Sequence, residues 1–258
     1  MFLDLSLSGW IDGITSGAII ISSLVFGLLS VIKGAKNRTK LLVIAGVNAI
    51  VIGSYWLGPF TDFLWYGIFN THIILELYPL LSYSQVFIGV IMIAILGGEL
   101  IMPNYKEAIL GAMTALAMML FALIYIWVWA MAFNIPYLVA VPGMNPEIPA
   151  LPVWDPFTLT PGTTKELIDA SFAPWNPAMM LIWIFQFFNL FFMGGGFLIK
   201  AKQSTGNLRK KFMILSLAFI LFFVVGIVDS IFSYDILVTI FRSAMCLFAP
   251  LLYLGLRD

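Results

Sequence analysis

Apolar runs of about twenty residues recur along this chain with almost no charge inside them. That length is what a helix needs to cross the hydrocarbon core of a bilayer. The first run is Ile14 to Ile32, the second Leu41 to Leu57 and the third about Glu76 to Ile101. Ala108 to Phe133, about Pro177 to Lys200, Phe212 to Phe232 and Ile236 to Leu256 follow. Soluble domains are about one quarter charged, whereas this chain is 10% charged and 62% hydrophobic. Its surface cannot be covered by polar groups, so most of its solvent must be lipid. The expectation is an all-α integral membrane bundle of seven transmembrane helices in a single domain, 1–258, in the cell membrane.

Between the second and third runs lies GPFTDFLWYGIFNTHIIL, from Gly58 to about Leu75. It is aromatic and interrupted by Gly and Pro. It reads as an interfacial segment, since Trp and Tyr favour the headgroup level. Pro79 stands in the first turns of the third helix, where a missing N–H does least harm. Asn134 to Asn176 is the one long segment without helical pattern, and its density of proline opposes both helix and strand. Within it, TTKELIDAS (Thr163 to Ser171) reads as a short helix, because Thr163 and Glu166 have the spacing of a capping box. The start of the chain carries Asp4 and Asp12 without a basic residue. It lacks the pattern of a cleaved secretory leader and reads as a short exposed segment entering a retained helix.

Orientation follows from the distribution of cations. Lys33, Lys36, Arg38 and Lys40 fall between helices one and two, and Lys106 between three and four. Lys200, Lys202, Arg209, Lys210 and Lys211 form a basic loop between five and six, and Arg257 follows helix seven. Seven alternating spans put all of these on one side, against Lys165 alone on the other. The basic side is expected to be cytoplasmic, with the N-terminus and the loop 134–176 outside and the C-terminus inside.

Polar residues inside the spans are the candidate sites, because a charge near the bilayer centre costs roughly 2.5 kcal/mol or more even on the gentlest scale. Asp229 in helix six and Arg242 in helix seven flank the turn at Tyr234. They reach similar depths, about 7–12 Å below the outer surface at 1.5 Å per residue. One reading is a salt bridge locking the two helices; the other is a ligand or proton site facing an outer pocket. His72 and Glu76 are four residues apart and would share a helical face. That suits either interfacial packing or a proton switch. Asn48, Gln186 and Asn189 are mid-span amides, expected to hydrogen-bond between helices or to line a cavity. Glu99 and Glu107 are expected to be solvated or paired with Lys106.

Several functions are excluded. Net charge is zero, so no nucleic-acid partner is expected. Cys246 is the one cysteine and His72 the one histidine, so neither a disulfide nor a Cys- or His-rich metal site forms within the chain. Gly194-Gly195-Gly196 lacks the strand and the Lys-Ser/Thr pair of a phosphate loop; it suits close helix approach. Helix seven holds no lysine for a retinal Schiff base. No catalytic set, metal site or cofactor is expected, and the chain is not expected to be an enzyme.

The segment GGGFLIKAKQSTGNLRKKFMILSLAFILFFVVGIVDSIF, with its Gly-rich helix end, its loop Ser204 to Phe212, and Gly226 with Asp229, resembles a known pattern. It is similar to the fifth-helix to sixth-helix region of seven-helix membrane modules in archaeal and bacterial sensor proteins, including sensor histidine kinases, and in stand-alone archaeal relatives. The resemblance covers about 40 residues and implies a receptor-like or sensory module. Unlike the fused sensors, this chain is expected to carry no output domain, so its signal would need a cytoplasmic partner. The rivals are a small-solute or ion transporter or channel and a structural subunit of a larger membrane complex. Against transport stand the lack of an inverted repeat and of paired broken helices. The basic loops Lys36, Arg38, Lys40 and Arg209, Lys210, Lys211 would meet anionic lipid or that partner.

Overall fold

A computed structural model describes residues 5–74, 76–132, 158–160, 166–171, 177–229 and 235–257. Among the described residues, seven helical spans are long and apolar enough to cross a membrane: Leu7–Lys36, Lys40–Phe69, Leu77–Leu100, Pro103–Ile126, Met180–Gln203, Gly206–Val228 and Thr239–Leu256. The number and order are those expected from the apolar runs, and they suggest a multi-pass membrane protein.

Helix α1, Leu7–Lys36, starts seven residues before the first expected span and so carries Asp12 within it. Ser6 caps it, its Oγ accepting the Gly9 N–H at 3.2 Å. The segment before Ile14 is therefore not simply an exposed lead-in. After a tight basic turn, α2 (Lys40–Gly53) runs back against α1. Their backbones come close where glycine removes the side chain. A Cβ on Gly46 would stand 2.6 Å from the Gly27 carbonyl oxygen. The small residues thus allow the dispersion-rich packing that drives helix association in lipid. The opposite face of α1 exposes Ile14, Ile21, Val25, Leu28, Leu29 and Ile32.

The second span does not end at Leu57. Pro59 cannot donate to the carbonyl four residues earlier, Tyr55, and the chain tightens into one 3-10 turn at Ser54–Trp56. It then resumes as α3, Leu57–Phe69. The stretch read as interfacial is mostly the second half of this span; proline in an opening turn is tolerated there. Asn70, at φ 55°, ends α3 with its N–H on the Tyr66 carbonyl and reverses the chain.

The third span is α4 (Leu77–Tyr83) and α5 (Val86–Leu100), and α6 is Lys106–Ala132. Pro79 lies in the opening turn of α4, as expected. Two three-residue strands, β1 (Thr158–Thr160) and β2 (Asp169–Ser171), pair antiparallel. The helix expected over Thr163 to Ser171 is replaced here. Thr163 lies outside the described residues, Glu166 is in a bend, and the chain from Asp169 is strand. A capping-box spacing nucleates nothing when backbone pairing with a partner strand is available.

The fifth span is α7 (Pro177–Phe188), a π-helical stretch at Asn189–Gly195, and α8 (Gly196–Gln203). The expected twelve-residue basic loop is mostly helix. Only Ser204 and Thr205 separate α8 from α9 (Gly206–Asp229), with Gly206 at φ +60°. Lys200 and Lys202 thus end one helix, while Arg209, Lys210 and Lys211 begin the next. Helices α10 (Asp235–Met245) and α11 (Phe248–Leu256) complete the seventh span.

Apolar packing has three centres. The largest joins α1, α2, α5, the π stretch, α8, α9, α10 and α11 around Phe197, Phe219, Phe222 and Phe248. Phe222 and Phe248 have ring centroids 4.7 Å apart, and Trp56 meets Phe222 edge-on at 6.1 Å. A second gathers α4 to α7 around Ala117, Leu120 and Phe185. A small third, Leu5, Phe63, Tyr66 and Leu167, sits at the end away from the basic turns.

Four of the seven spans are interrupted mid-span, at 54–56, 84–85, 189–195 and 246–247. The apolar runs of the sequence do not show these breaks, and the lack of broken helices that stood against transport does not hold in the structure. Each break coincides with a side chain donating to a main-chain carbonyl, which is how lipid-embedded backbone tolerates irregularity. Pro250 deprives the Cys246 carbonyl of its helical donor, and Ser22 of α1 supplies one at 2.7 Å. Asn189 Nδ2 donates to Phe185 O at 2.6 Å and Ser216 Oγ to Gly194 O at 2.7 Å around the π stretch. Ser54 donates to Val51 O at 2.6 Å, and Ser84 to Leu80 O.

Candidate functional site

The most completely built polar site centres on Asp62, in the second turn of α3. Its side chain is fully buried. Leaving a carboxylate there without partners would be prohibitive, and the fold brings it three donors. The left-handed Asn70 turns the chain so that His72 Nδ1 lies 2.9 Å from Asp62 Oδ2 and the Ile73 N–H donates to Oδ1 at 3.0 Å. The third comes from a segment more than a hundred residues away: the Ile168 N–H donates to Oδ2 at 2.9 Å. An ionised carboxylate is the side chain suited to this task, because it only accepts and has about four lone-pair sites. Hydrogen bonds to it are roughly twice as strong as neutral ones.

Apolar contacts close the site. Tyr66, one turn after Asp62, stacks on the His72 ring with centroids 4.8 Å apart. Phe63 meets Trp10 of α1 edge-on at 5.5 Å. Leu167 and Ile168 are both buried, one in the small cluster with Leu5, Phe63 and Tyr66, the other in the α4–α7 core. The segment 166–168 is thereby pinned to the bundle by main-chain hydrogen bonding and by burial together. The His72 side chain keeps 17% of its surface exposed, so the site reaches the protein surface through the imidazole.

The expected pairing of His72 with Glu76 on one helical face does not occur. Residues 71–74 are not helical, Glu76 immediately precedes α4, and the charged group facing His72 is Asp62. Asp62 was missed because its segment was read as interfacial, where a carboxylate is solvated and carries no information. Its signal was the lone acid in an eighteen-residue aromatic run.

Arg242 of α10 forms an ion pair with Asp12 of α1, Nη1 to Oδ1 2.6 Å, with side chains 16% and 34% exposed. The side chain of Asp229, its expected partner, lies outside the described residues, and the expected pairing lies there with it. The helical start at Leu7 is what carries Asp12 to Arg242; an exposed lead-in would not.

Among the mid-span amides, Asn48 is fully buried, yet neither its Nδ2 nor its Oδ1 has a hydrogen-bond partner among the described residues. The expected interhelical bond is absent there. Asn189 spends its Nδ2 on its own helix, and its Oδ1, like Gln186 Oε1, has no described partner. Glu99 pairs with Lys106 at 3.2 Å, both well exposed, as expected. Lys36, Arg38, Lys40, Arg209 and Lys210 are exposed at the basic end, and Lys211 partly so. No group of three or more His, Cys, Asp or Glu gathers as a metal site among the described residues.

A helical bundle in which seven helices, among the described residues, are long and apolar enough to cross a membrane, with a buried carboxylate holding down an inter-helix segment, is the class that this architecture defines. The sequence matches no protein-family model and no curated protein.

Proposed function

We propose that this chain is a receptor-like, sensory membrane module whose input lies at the end of the bundle that holds Asp62, His72 and the segment 166–168. One observation carries the reading: a fully buried carboxylate ties the main chain of the long α6–α7 connection to α3 through the Ile168 N–H, beside a partly exposed imidazole. A ligand that moves this connection must act on a discrete, polar latch, and a latch with few alternative arrangements converts a local contact into a two-state change. In this reading the basic end faces the cytoplasm of a cell-membrane protein and hands the change to a separate partner. The similarity of 194–232 to sensor membrane modules points the same way. Asp229 and Arg242 then belong to the input half, with Arg242 bound to Asp12.

The test is a small-molecule screen for thermal stabilisation of the detergent-solubilised chain and of Asp62→Ala, run beside solute flux into liposomes. A compound that stabilises the wild type, fails on the variant and is not transported supports the sensor. Transport of the stabilising compound replaces that reading with the second one, a small-solute transporter. The second reading is favoured by the four mid-span breaks and by buried amide atoms without described partners, both of those of Asn48 and the oxygens of Gln186 and Asn189, because transporter sites are commonly built where helices are discontinuous.

A further inference from the structure

The basic end carries a feature that topology alone does not require. Lys33, in the last turn of α1, places its Nζ 6.0 Å from the centroid of the Tyr253 ring of α11. Arg257, which follows α11, places its guanidinium carbon 5.9 Å from the same centroid. Two cations from two helices thus converge on one aromatic ring, and Lys36 is one turn beyond Lys33 on the same face of α1. None of the three has a carboxylate partner among the described residues. The C-termini of α1 and α11 each contribute about half a negative charge, which offsets roughly one of the three positive charges. The described residues leave about two positive charges in excess at the mouth of the α1–α11 seam, of which Asp258, next to Arg257 in the sequence, offsets at most one. Below that mouth, Phe26 packs on Tyr253 with centroids 6.1 Å apart, and Leu29, Ile32 and Leu254 are exposed apolar side chains. Charge at headgroup depth over an apolar strip is complementary to one kind of molecule.

We propose that the α1–α11 seam is a binding site for an anionic phospholipid. Its phosphate is held by Lys33 and Arg257 with Lys36 at the rim, and its acyl chains lie along Leu29, Ile32 and Leu254. Tyr253 positions the two cations by the attraction of its ring face. Phosphatidylglycerol and phosphatidylserine satisfy the chemistry; phosphatidylcholine, which carries its own cation, does not.

The full chain in a neutral detergent is titrated with phosphatidylglycerol, phosphatidylcholine or inorganic phosphate, and binding is followed by native mass spectrometry and thermal unfolding. Phosphatidylglycerol is expected to bind and to raise the melting temperature. The double variant Lys33→Gln, Arg257→Gln is expected to weaken that binding at least fivefold. Removal of two charges elsewhere on the same end, Lys202→Gln with Lys210→Gln, is expected to change it less than twofold. If the double variant fails to fold, Arg257→Gln alone, at an exposed position, is judged by the same comparison at a threshold of twofold. Equal binding of the two lipids, an equal loss in the control variant, or a shift reproduced by inorganic phosphate alone would each overturn the proposal.

Discussion

Replacing Asp62 by alanine removes the shared acceptor of three donors. Two of them, the N–H groups of Ile73 and Ile168, belong to buried main chain and have no rotamer by which to reach water. A buried donor left without its acceptor costs about 1–3 kcal/mol, so Asp62→Ala is expected to lose roughly 2–6 kcal/mol. His72→Ala removes one hydrogen bond to a charged acceptor, worth about 1.5–3 kcal/mol, and leaves the carboxylate held by both amides. Asp62→Asn falls between, because one carboxamide oxygen still accepts while the NH2 group faces a donor. The expected order of damage is therefore Asp62→Ala, then Asp62→Asn, then His72→Ala. Equilibrium unfolding in mixed micelles gives the global values. Hydrogen exchange at the Ile168 amide reports the latch itself, and it should quicken at least tenfold in Asp62→Ala, the factor that about 1.4 kcal/mol commands. If His72→Ala proves the most damaging of the three, the carboxylate is not the organising group. If Ile168 exchanges at the same rate in wild type and Asp62→Ala, the connection is not held by it.

Three further expectations concern the transmembrane packing. Asn48→Leu should be neutral or stabilising by about 1 kcal/mol, since it removes two buried polar atoms that lack partners; a loss above that size, measured by the same unfolding assay, would mean that the amide is engaged. Gly46→Ala should cost about 1–3 kcal/mol by overpacking against the Gly27 carbonyl, which cannot swing aside. Gly111→Ala, where a Cβ meets nothing within 4 Å, should be neutral or stabilising by up to about 1 kcal/mol, and equal effects at the two sites would refute the close α1–α2 approach. Ser22→Ala should cost about 1 kcal/mol in the wild type and clearly less in a Pro250→Ala background, where a restored N–H takes over the Cys246 carbonyl; a double-mutant cycle with no coupling would separate the two residues.

The spans were legible because hydrophobicity over twenty residues is a one-dimensional signal, and lipid leaves the backbone few alternatives to helix. The run Leu41 to Leu57 was cut short at Gly58-Pro59 because proline reads as a stop. Whether a helix resumes after one 3-10 turn depends on what packs on the other side, and here α3 finds α1 and α4. The sites were less legible for a related reason. Asp62 meets Ile168 across 106 positions and Asp12 meets Arg242 across 230, distances over which periodicity says nothing. Both acids were visible as charges, yet each was assigned to water once its segment was placed outside a span. The buried state of a carboxylate is set by its neighbours in space, and the rule that such a group finds partners becomes useful only after its segment has been placed.

The interruptions bear on how such a bundle could work. A straight helix in lipid satisfies its own backbone and moves as a rod. The broken spans here depend on neighbours for part of that satisfaction: α10–α11 on Ser22 of α1, and the π stretch on Ser216 of α9. Relative movement of these helices must therefore exchange hydrogen bonds as well as slide apolar surface, which makes discrete arrangements more favourable than a continuum. The basic half, by contrast, is packed backbone to backbone at Gly27 and Gly46 and through the stacked rings of Phe197, Phe212 and Phe219. A change begun at the Asp62 latch would meet the hydrogen-bonded breaks before it met this close-packed end. Ser216→Ala separates the two behaviours. If the breaks are only tolerated irregularities, the variant loses about 1 kcal/mol and keeps the wild-type response to any stabilising ligand. If they are the moving parts, the same variant changes the size of that response by more than its effect on stability.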